Sequence, residues 1–368
     1  MSELTSHVLR VAEVRDETGD ACSVVFDPTP EQAEHLAYKP GQFLTVRVPS
    51  DWCGSVARCY SLSSSPYTDS RPQVTVKRTP DGYASHWICD NLAAGSEMEI
   101  LPPSGIFTPQ SFENDLLLLA GGSGITPVMS IVKSALAHGT GTITLLYANR
   151  DESSVIFATE LRELAAAHPD RFVVIHWLES VQGLPSRQQL QHMLAPFTDR
   201  EAFICGPSPF MKACSSALKT LDVPRNRIHR EKFVSLGGNP FEQNTPADGD
   251  SLEPAADDTA GLAEDTTPAE GAAPAEEAPA QLSVDLDGTQ HSFSWPRQQK
   301  LLDFMLEQGL DAPFSCRAGQ CSACACRLVS GEVKMLNNEI LEAEDLDEGI
   351  VLACQSLPIT DEVSISYE

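Results

Sequence analysis

Four cysteines near the end of the chain are spaced as metal ligands. Cys316, Cys321 and Cys324 form a C-x4-C-x2-C array, and Cys354 follows 30 positions after the third. This is the plant-type ligand pattern of a 2Fe-2S cluster, in which three thiolates on one tight loop wrap one side of the cluster. The fourth is expected from a remote strand. Between the first two, Arg317-Ala318-Gly319-Gln320 forms a loop of little bulk, whose backbone N–H groups can approach the cluster sulfurs. A structural zinc also accepts four thiolates, but such sites favour paired C-x2-C knuckles and the second pair is missing. Cys326 reads as a small buried hydrophobe, with replacement of Cys324 in a distorted loop as its other reading.

A second chemistry is signalled by glycines. Gly121-Gly122-Ser123-Gly124-Ile125-Thr126-Pro127 follows a run of four leucines and opens a helix expected from about Val128. Missing side chains there let a pyrophosphate approach N–H groups at a helix N-terminus, although a tight strand-to-helix turn uses glycine for its own reasons. Cys205-Gly206-Pro207 repeats the strand-loop-helix arrangement, and both loops are expected on the carboxyl edge of one sheet. Earlier, Arg58-Cys59-Tyr60-Ser61 offers a cation, an aromatic plate and a hydroxyl to a phosphate, a planar ring and a ring nitrogen, and Gly82-Tyr83-Ala84-Ser85 opens another helix. Taken singly, these are an arginine on a solvated strand, a half-buried tyrosine and a turn serine.

These residues need three kinds of scaffold. Residues 1–110 carry short alternating runs broken by Pro and Gly, such as Phe43-Leu44-Thr45-Val46, which predict a small antiparallel β-barrel. Over 111–238, buried strands alternate with helical patterns, the rhythm of an α/β domain with a parallel sheet covered on both faces. Residues 239–281 hold 11 acidic residues, no basic ones, 11 Ala and 6 Pro, with Phe241 as the only aromatic. Such a stretch predicts a disordered acidic linker spanning roughly 36 Å. Residues 282–368 would form a short tail module around the cluster, α+β and of β-grasp type by its resemblance to a plant-type ferredoxin.

The 368 residues carry a formal charge of −27, which argues against nucleic acid and anionic membrane surfaces as partners. No apolar stretch reaches the roughly 20 residues of a membrane span, and the first residues lack a secretion signal. The chain is therefore expected in the cytoplasm. Of its 11 cysteines, Cys316, Cys321, Cys324, Cys326 and Cys354 crowd near the end, unlike a secreted disulfide framework.

In their order along the chain, Arg58 to Ser61, Gly82 to Ser85, Gly121 to Pro127 and Cys205 to Pro207 resemble the ferredoxin-NADP reductase superfamily across residues 1–235. With a plant-type ferredoxin at the C-terminus, the whole resembles the reductase components of multicomponent oxygenases. Those of the 3-ketosteroid 9-alpha-hydroxylase type are the nearer likeness, and those of phenylacetyl-CoA epoxidase share the domain order. The resemblance implies FAD, a 2Fe-2S cluster and NADH or NADPH, with NADH favoured. It implies that Arg58 pairs with the FAD pyrophosphate, Tyr60 packs on the isoalloxazine and Ser61 bonds near N5, while Gly82 and Ser85 hold the pyrophosphate. Gly122, Gly124 and Thr126 would receive the nicotinamide dinucleotide, with Cys205 and Gly206 beside the nicotinamide. Glu231 and Phe233 would stand near the flavin, and Ser61, Cys205 and Glu231 would be its catalytic residues.

Coenzyme choice would lie in Asn149-Arg150-Asp151-Glu152-Ser153-Ser154, where Arg150 and the serines suit a 2′-phosphate and Asp151 a 2′-hydroxyl. Hydride arrives as two electrons and the cluster takes one, so a flavin must stand between them. The resemblance implies a separate terminal oxygenase as partner, of Rieske type for the steroid system, and the 15 acidic against 5 basic side chains of residues 282–368 predict a basic docking patch on it. A flavin and iron-sulfur redox sensor is the competing class, but no output domain is visible.

Overall fold

Six short strands, β1 (His7–Thr18), β2 (Ala21–Phe26), β3 (Phe43–Ser50), β4 (Gly54–Ser61), β5 (Gln73–Lys77) and β6 (Glu97–Ile100), make an antiparallel sheet in the order β4-β3-β6-β1-β2-β5. A bridge between Leu62 and Val74 joins its two edges, so the sheet closes into the expected barrel. Val11, Val24, Phe26, Val46 and Ile100 fill its interior, and the helix Tyr83–Asn91 covers it through Ala84 and Ile88. The computed structural model describes residues 6–50, 53–80, 82–233, 239–242, 278–286, 288–310, 312–314, 316–319, 321–341 and 343–367.

The second sheet is parallel, with β7 (Leu116–Gly121), β8 (Ile143–Asn149), β9 (Phe172–Leu178), β10 (Glu201–Cys205) and β11 (Ile228–Glu231) in the order β11-β10-β7-β8-β9. Strand alternation splits the leucine run of β7 between two cores. Leu116 and Leu118 enter the cluster containing Val128 and Ile131 of the helix Ile125–His138. Leu117 and Leu119 enter the one containing Leu190 and Met211, from the helices Arg187–Leu194 and Ser208–Thr220. Each such leucine contributes about 2 kcal/mol through burial, which explains a run with no polar residue. From β7 the chain steps first towards β8 and later returns to β10. The crevice at the carboxyl ends of β7 and β10 is therefore a topological switch point.

The third sheet contains β12 (Ala280–Leu286), β13 (Thr289–Trp295), β14 (Ala325–Ser330), β16 (Ile350–Leu352) and β18 (Glu362–Ser366) in the order β13-β12-β18-β14-β16, while β15 (Val333–Met335) pairs with β17 (Ser356–Pro358). Only the central pair β12 and β18 is parallel, and the helix Leu301–Glu307 packs Leu301, Leu302 and Met305 with Trp295, as a β-grasp requires. Among the described residues no helix is long and apolar enough to cross a membrane.

Three expectations need correction. The glycine loop coils into a 3-10 turn over Gly122–Gly124 and its helix starts at Ile125, before the expected Val128. Cys354 arrives on a single 3-10 turn, Ala353–Gln355, rather than on a strand. The linker expected over 239–281 is not loose at its ends. Asn239 donates a 2.8 Å hydrogen bond to the Ser55 hydroxyl, Phe241 packs against apolar side chains, and Ala280 and Gln281 already belong to β12. Burial of its one aromatic side chain anchors the first residues. Positions 243–277 lie outside the described residues.

Candidate functional site

The four predicted ligands converge. Cys316, Cys321, Cys324 and Cys354 are all buried, the Sγ atoms of Cys316 and Cys321 are 3.2 Å apart, and the Cys354 thiol lies against those of Cys316 and Cys324. The loop has the backbone such convergence needs. Arg317 and Gly319 have φ of +52° and +77°, and a β-carbon at Gly319 would stand 2.7 Å from the Asn337 carbonyl oxygen. The Gln355 amide donates to the Arg317 carbonyl at 2.8 Å and lies 3.6 Å from the Cys354 sulfur, tying the two ligand-bearing segments together. Ala318 N–H already points at the Cys316 sulfur, 3.4 Å away. Four buried soft donors around one point fit a 2Fe-2S cluster. Cys326 has a different environment: it is buried in β14 opposite Val351 and faces Tyr367. Gln320 lies outside the described residues.

At the carboxyl edge of the parallel sheet, backbones meet. A β-carbon on Gly124 would stand 2.1 Å from the Cys205 carbonyl oxygen and 2.6 Å from Gly206 N, and one on Gly206 would stand 2.9 Å from Gly121 Cα. Gly122 has φ of +53°. The two glycine loops therefore interlock as bare backbone, the cradle a pyrophosphate needs. Thr126 is buried and donates to the Ser123 carbonyl at 3.1 Å, so its hydroxyl holds the turn. Cys205 is in register with Ala120 on one side and Glu231 on the other. Glu231 is buried, and the loss of solvent pushes its carboxyl up to about 8. The same burial, and then the neighbouring Glu231, push the Cys205 thiol up.

In β4, alternation sends Arg58 and Tyr60 to one face and Cys59 and Ser61 to the other. Tyr60 packs against the barrel core, and burial raises its hydroxyl pKa. Arg58 donates to the Ala57 carbonyl at 2.7 Å. Gly82 caps the helix Tyr83–Asn91, and a β-carbon there would stand 1.9 Å from Thr79 Oγ1. The Ser85 hydroxyl donates to the Gly82 carbonyl at 3.0 Å and lies 3.1 Å from the Thr79 N–H and hydroxyl, so it shapes this turn.

Ser61, Cys59, Glu231, Phe233 and the predicted ligand Cys321 line one small cavity, which brings three modules together. Beside it Phe43, Ala57, Cys316, Cys321 and Ala323 form one apolar patch, with Cys59 and Phe241 against it. Arg58 and Tyr60 stay on the opposite face of β4. The patch was not visible in the sequence, because Phe43 and Ala57 are ordinary strand residues until the cluster loop lies on them. Two ion-pairing arginines were missed too: Arg225 and Arg230 of the nucleotide module reach Asp345 and Glu348 of the tail.

Family models match in the same order: an oxidoreductase FAD-binding domain at residues 9–108, an oxidoreductase NAD-binding domain at 118–216 and a 2Fe-2S iron-sulfur cluster binding domain at 284–358. The chain is 54% identical to a 3-ketosteroid-9-alpha-monooxygenase, ferredoxin reductase component, of Mycolicibacterium smegmatis, over 99% of this chain and 98% of that one. It belongs to the family of FAD- and 2Fe-2S-dependent ferredoxin reductases. This reductase is also 30% identical to a component of the 1,2-phenylacetyl-CoA epoxidase of Escherichia coli, over 99% of this chain and 98% of the other. In fold the reductase matches phthalate dioxygenase reductase with a TM-score of 0.55 at 22% identity, over 98% of each chain. The reductase is an NAD(P)H-dependent oxidoreductase with FAD and a 2Fe-2S cluster as its cofactors.

Proposed function

We propose that this reductase draws electrons from NADH and delivers them singly to a separate terminal oxygenase that hydroxylates a 3-ketosteroid at the 9-alpha position. When bound, FAD converts the two-electron hydride donor into the one-electron steps that the cluster accepts. The observation that carries the reading is the shared apolar patch: Cys316 and Cys321 lie against Ala57 and Cys59 on the strand that carries the flavin motif. The steroid assignment draws on the higher identity to the steroid monooxygenase component, 54% against 30% for the epoxidase component.

The site residues divide the work. Arg58 takes the FAD pyrophosphate from one face of β4, Tyr60 packs on the ring, and Ser61, on the other face, reaches the reacting edge. Gly82 and Ser85 build the helix entry, and Ser85 acts through the Thr79 turn. Gly122, Gly124, Thr126 and Gly206 form the dinucleotide cradle, with Cys205 at the nicotinamide. Glu231, whose carboxyl burial pushes up to about 8, would favour its protonated form beside the flavin, and Phe233 lines the same cavity. Cys316, Cys321, Cys324 and Cys354 hold the cluster. The working division of the chain is 1–110, 111–238, a linker cut back at both ends from 239–281, and a tail that starts with β12 at Ala280.

NADH is favoured because Arg150, the cation a 2′-phosphate would need, is paired with Asp20 at 2.8 Å. The cytoplasm, where this coenzyme is found, is the compartment we assign. The excess acid of residues 282–368 calls for a basic patch on the oxygenase. The test is reconstitution with the oxygenase and a 3-ketosteroid: NADH should support 9-alpha-hydroxylation at a higher kcat/KM than NADPH. Hydroxylation of no steroid by the reconstituted pair would refute the steroid assignment.

A further inference from the structure

The tail module is held on the barrel by the apolar patch at the cluster, and on the nucleotide module by charge. Arg225 reaches Glu348 at 2.5 Å and Asp345 at 3.2 Å, and Arg230 reaches Asp345 at 3.4 Å. All four side chains are at most 30% exposed in this contact. Between the ionic contact and the cluster patch the two surfaces do not close: a cavity of about 230 Å³ remains, lined by Arg225, Arg230 and Lys232 on one side and Asp345, Glu348 and Tyr367 on the other. Such an open, ionic contact is typical of reversible interfaces within a chain rather than of fused cores.

The geometry of the two contacts creates a conflict. In this arrangement Cys316 and Cys321 are buried against the barrel, where electrons enter, so that edge of the cluster is closed to any other protein. Delivery through the same edge requires the tail to lift away, and lifting breaks the Arg225 and Arg230 pairs. Asp345 and Glu348, with the exposed Asp347 between them, then form an acidic surface from which two guanidinium groups of this chain have withdrawn.

We infer that Asp345 and Glu348 form a two-partner docking surface: Arg225 and Arg230 occupy it while the cluster is loaded, and basic side chains of the electron acceptor occupy it while the cluster is discharged. The inference rests on the proposed delivery to a separate protein. The two occupants compete, so weakening the internal one strengthens the external one. The pairs are also sensitive to salt, because they sit at the surface within a Debye length of solvent ions.

The test uses the full-length holoenzyme with cytochrome c, a lysine-rich one-electron acceptor, as the probe. Arg225→Glu with Arg230→Glu should slow NADH-driven bleaching of the cluster roughly tenfold relative to flavin bleaching, and should lower the KM for cytochrome c severalfold at low salt. Adding Asp345→Arg and Glu348→Arg restores the internal pairs with reversed sign. The fourfold variant should regain cluster bleaching yet show a KM for cytochrome c well above wild type. Unchanged bleaching in the double variant, or an unchanged KM in the fourfold variant, overturns the inference. NADH-driven ferricyanide reduction distinguishes the two readings: its loss from the wild-type protein would refute the reductase function itself, whereas a failure confined to cytochrome c would refute only the shared surface.

Discussion

At the cluster loop four thiols supply the chemistry directly, whereas at the carboxyl edge of the parallel sheet the working surface is backbone that glycines leave bare. The first site is built from side chains whose type cannot change, and its geometry comes from two positive-φ residues and the Gln355 clamp. The second is built from close approach, with Gly124 and Gly206 each within 3 Å of opposing backbone atoms once a β-carbon is added. Substitution should therefore act in different ways: loss of the metal in one case, and loss of shape with the chemistry intact in the other.

The largest effect is expected at the thiols. Cys354→Ser should abolish the cluster, so that iron per chain falls towards zero and cytochrome c reduction drops by about 100-fold or more, because a hydroxyl is a poor ligand for iron-sulfur iron. Ferricyanide reduction, which needs only the flavin, should stay within about twofold. A variant that kept both irons would show that Cys354 is not a ligand.

The nucleotide loop should respond less, and through KM. In Gly124→Ala the new methyl group would stand 2.1 Å from the Cys205 carbonyl oxygen, so the loops must part, and we expect the KM for NADH to rise roughly tenfold with the cluster content unchanged. Gly122→Ala makes the contrast sharper. Its nearest neighbour would be Lys77 Nζ at 3.9 Å, leaving only the cost of φ at +53°, about 1 kcal/mol. Equal effects from the two substitutions would mean that conformational strain, not close approach, governs this loop.

The two sites also differed in how much of them could be read in advance. Cysteine spacing singled out four residues that the fold brings together, since a metal site constrains residue type and sequence distance together. The glycine loops gave their position but not their interlock, because Gly124 against Cys205 is a contact across 81 positions between two strands whose adjacency only the sheet order fixes. The leucine run of β7 announced a buried parallel strand, yet the helix start at Ile125 was obscured by glycines that belong to a 3-10 turn. Least legible were the contacts between modules. Arg225 and Glu348 carry no pattern that sets them apart from other surface charges, and Phe241 looked like an isolated aromatic in a tether until it packed beside Cys59.

Glu231 lies between the two sites and gives a smaller, pH-dependent effect. Burial pushes its carboxyl up to about 8 in the folded protein, from 4.5 for an exposed group. Between these values the folded state holds a proton that the unfolded state has released. Its contribution to stability is therefore complete below the lower value and is lost as pH rises towards the upper one. The decline is at most about 1.4 kcal/mol per pH unit. Glu231→Gln should flatten the fall in Tm across this window, and an identical pH profile would place the buried charge elsewhere.

The smallest effect is expected at Cys326, where the side-chain rule for the cluster should stop applying. It stands two residues beyond Cys324, close enough in sequence to substitute as a ligand, but it lies in β14 with Val351 opposite and Tyr367 against its thiol. A strand residue fixed by its ladder cannot swing into the loop without breaking the β14–β16 pairing. Cys326→Ala should therefore retain both irons and lower Tm by only a few degrees, about 1 kcal/mol for one small buried group. Cys324→Ser settles the matter from the other side: if Cys326 could take its place, that variant would keep its cluster and would lose it only when Cys326→Ala was added. Loss of iron from the single Cys324→Ser variant would show that strand position, and not the mere presence of a nearby thiol, decides which cysteines bind.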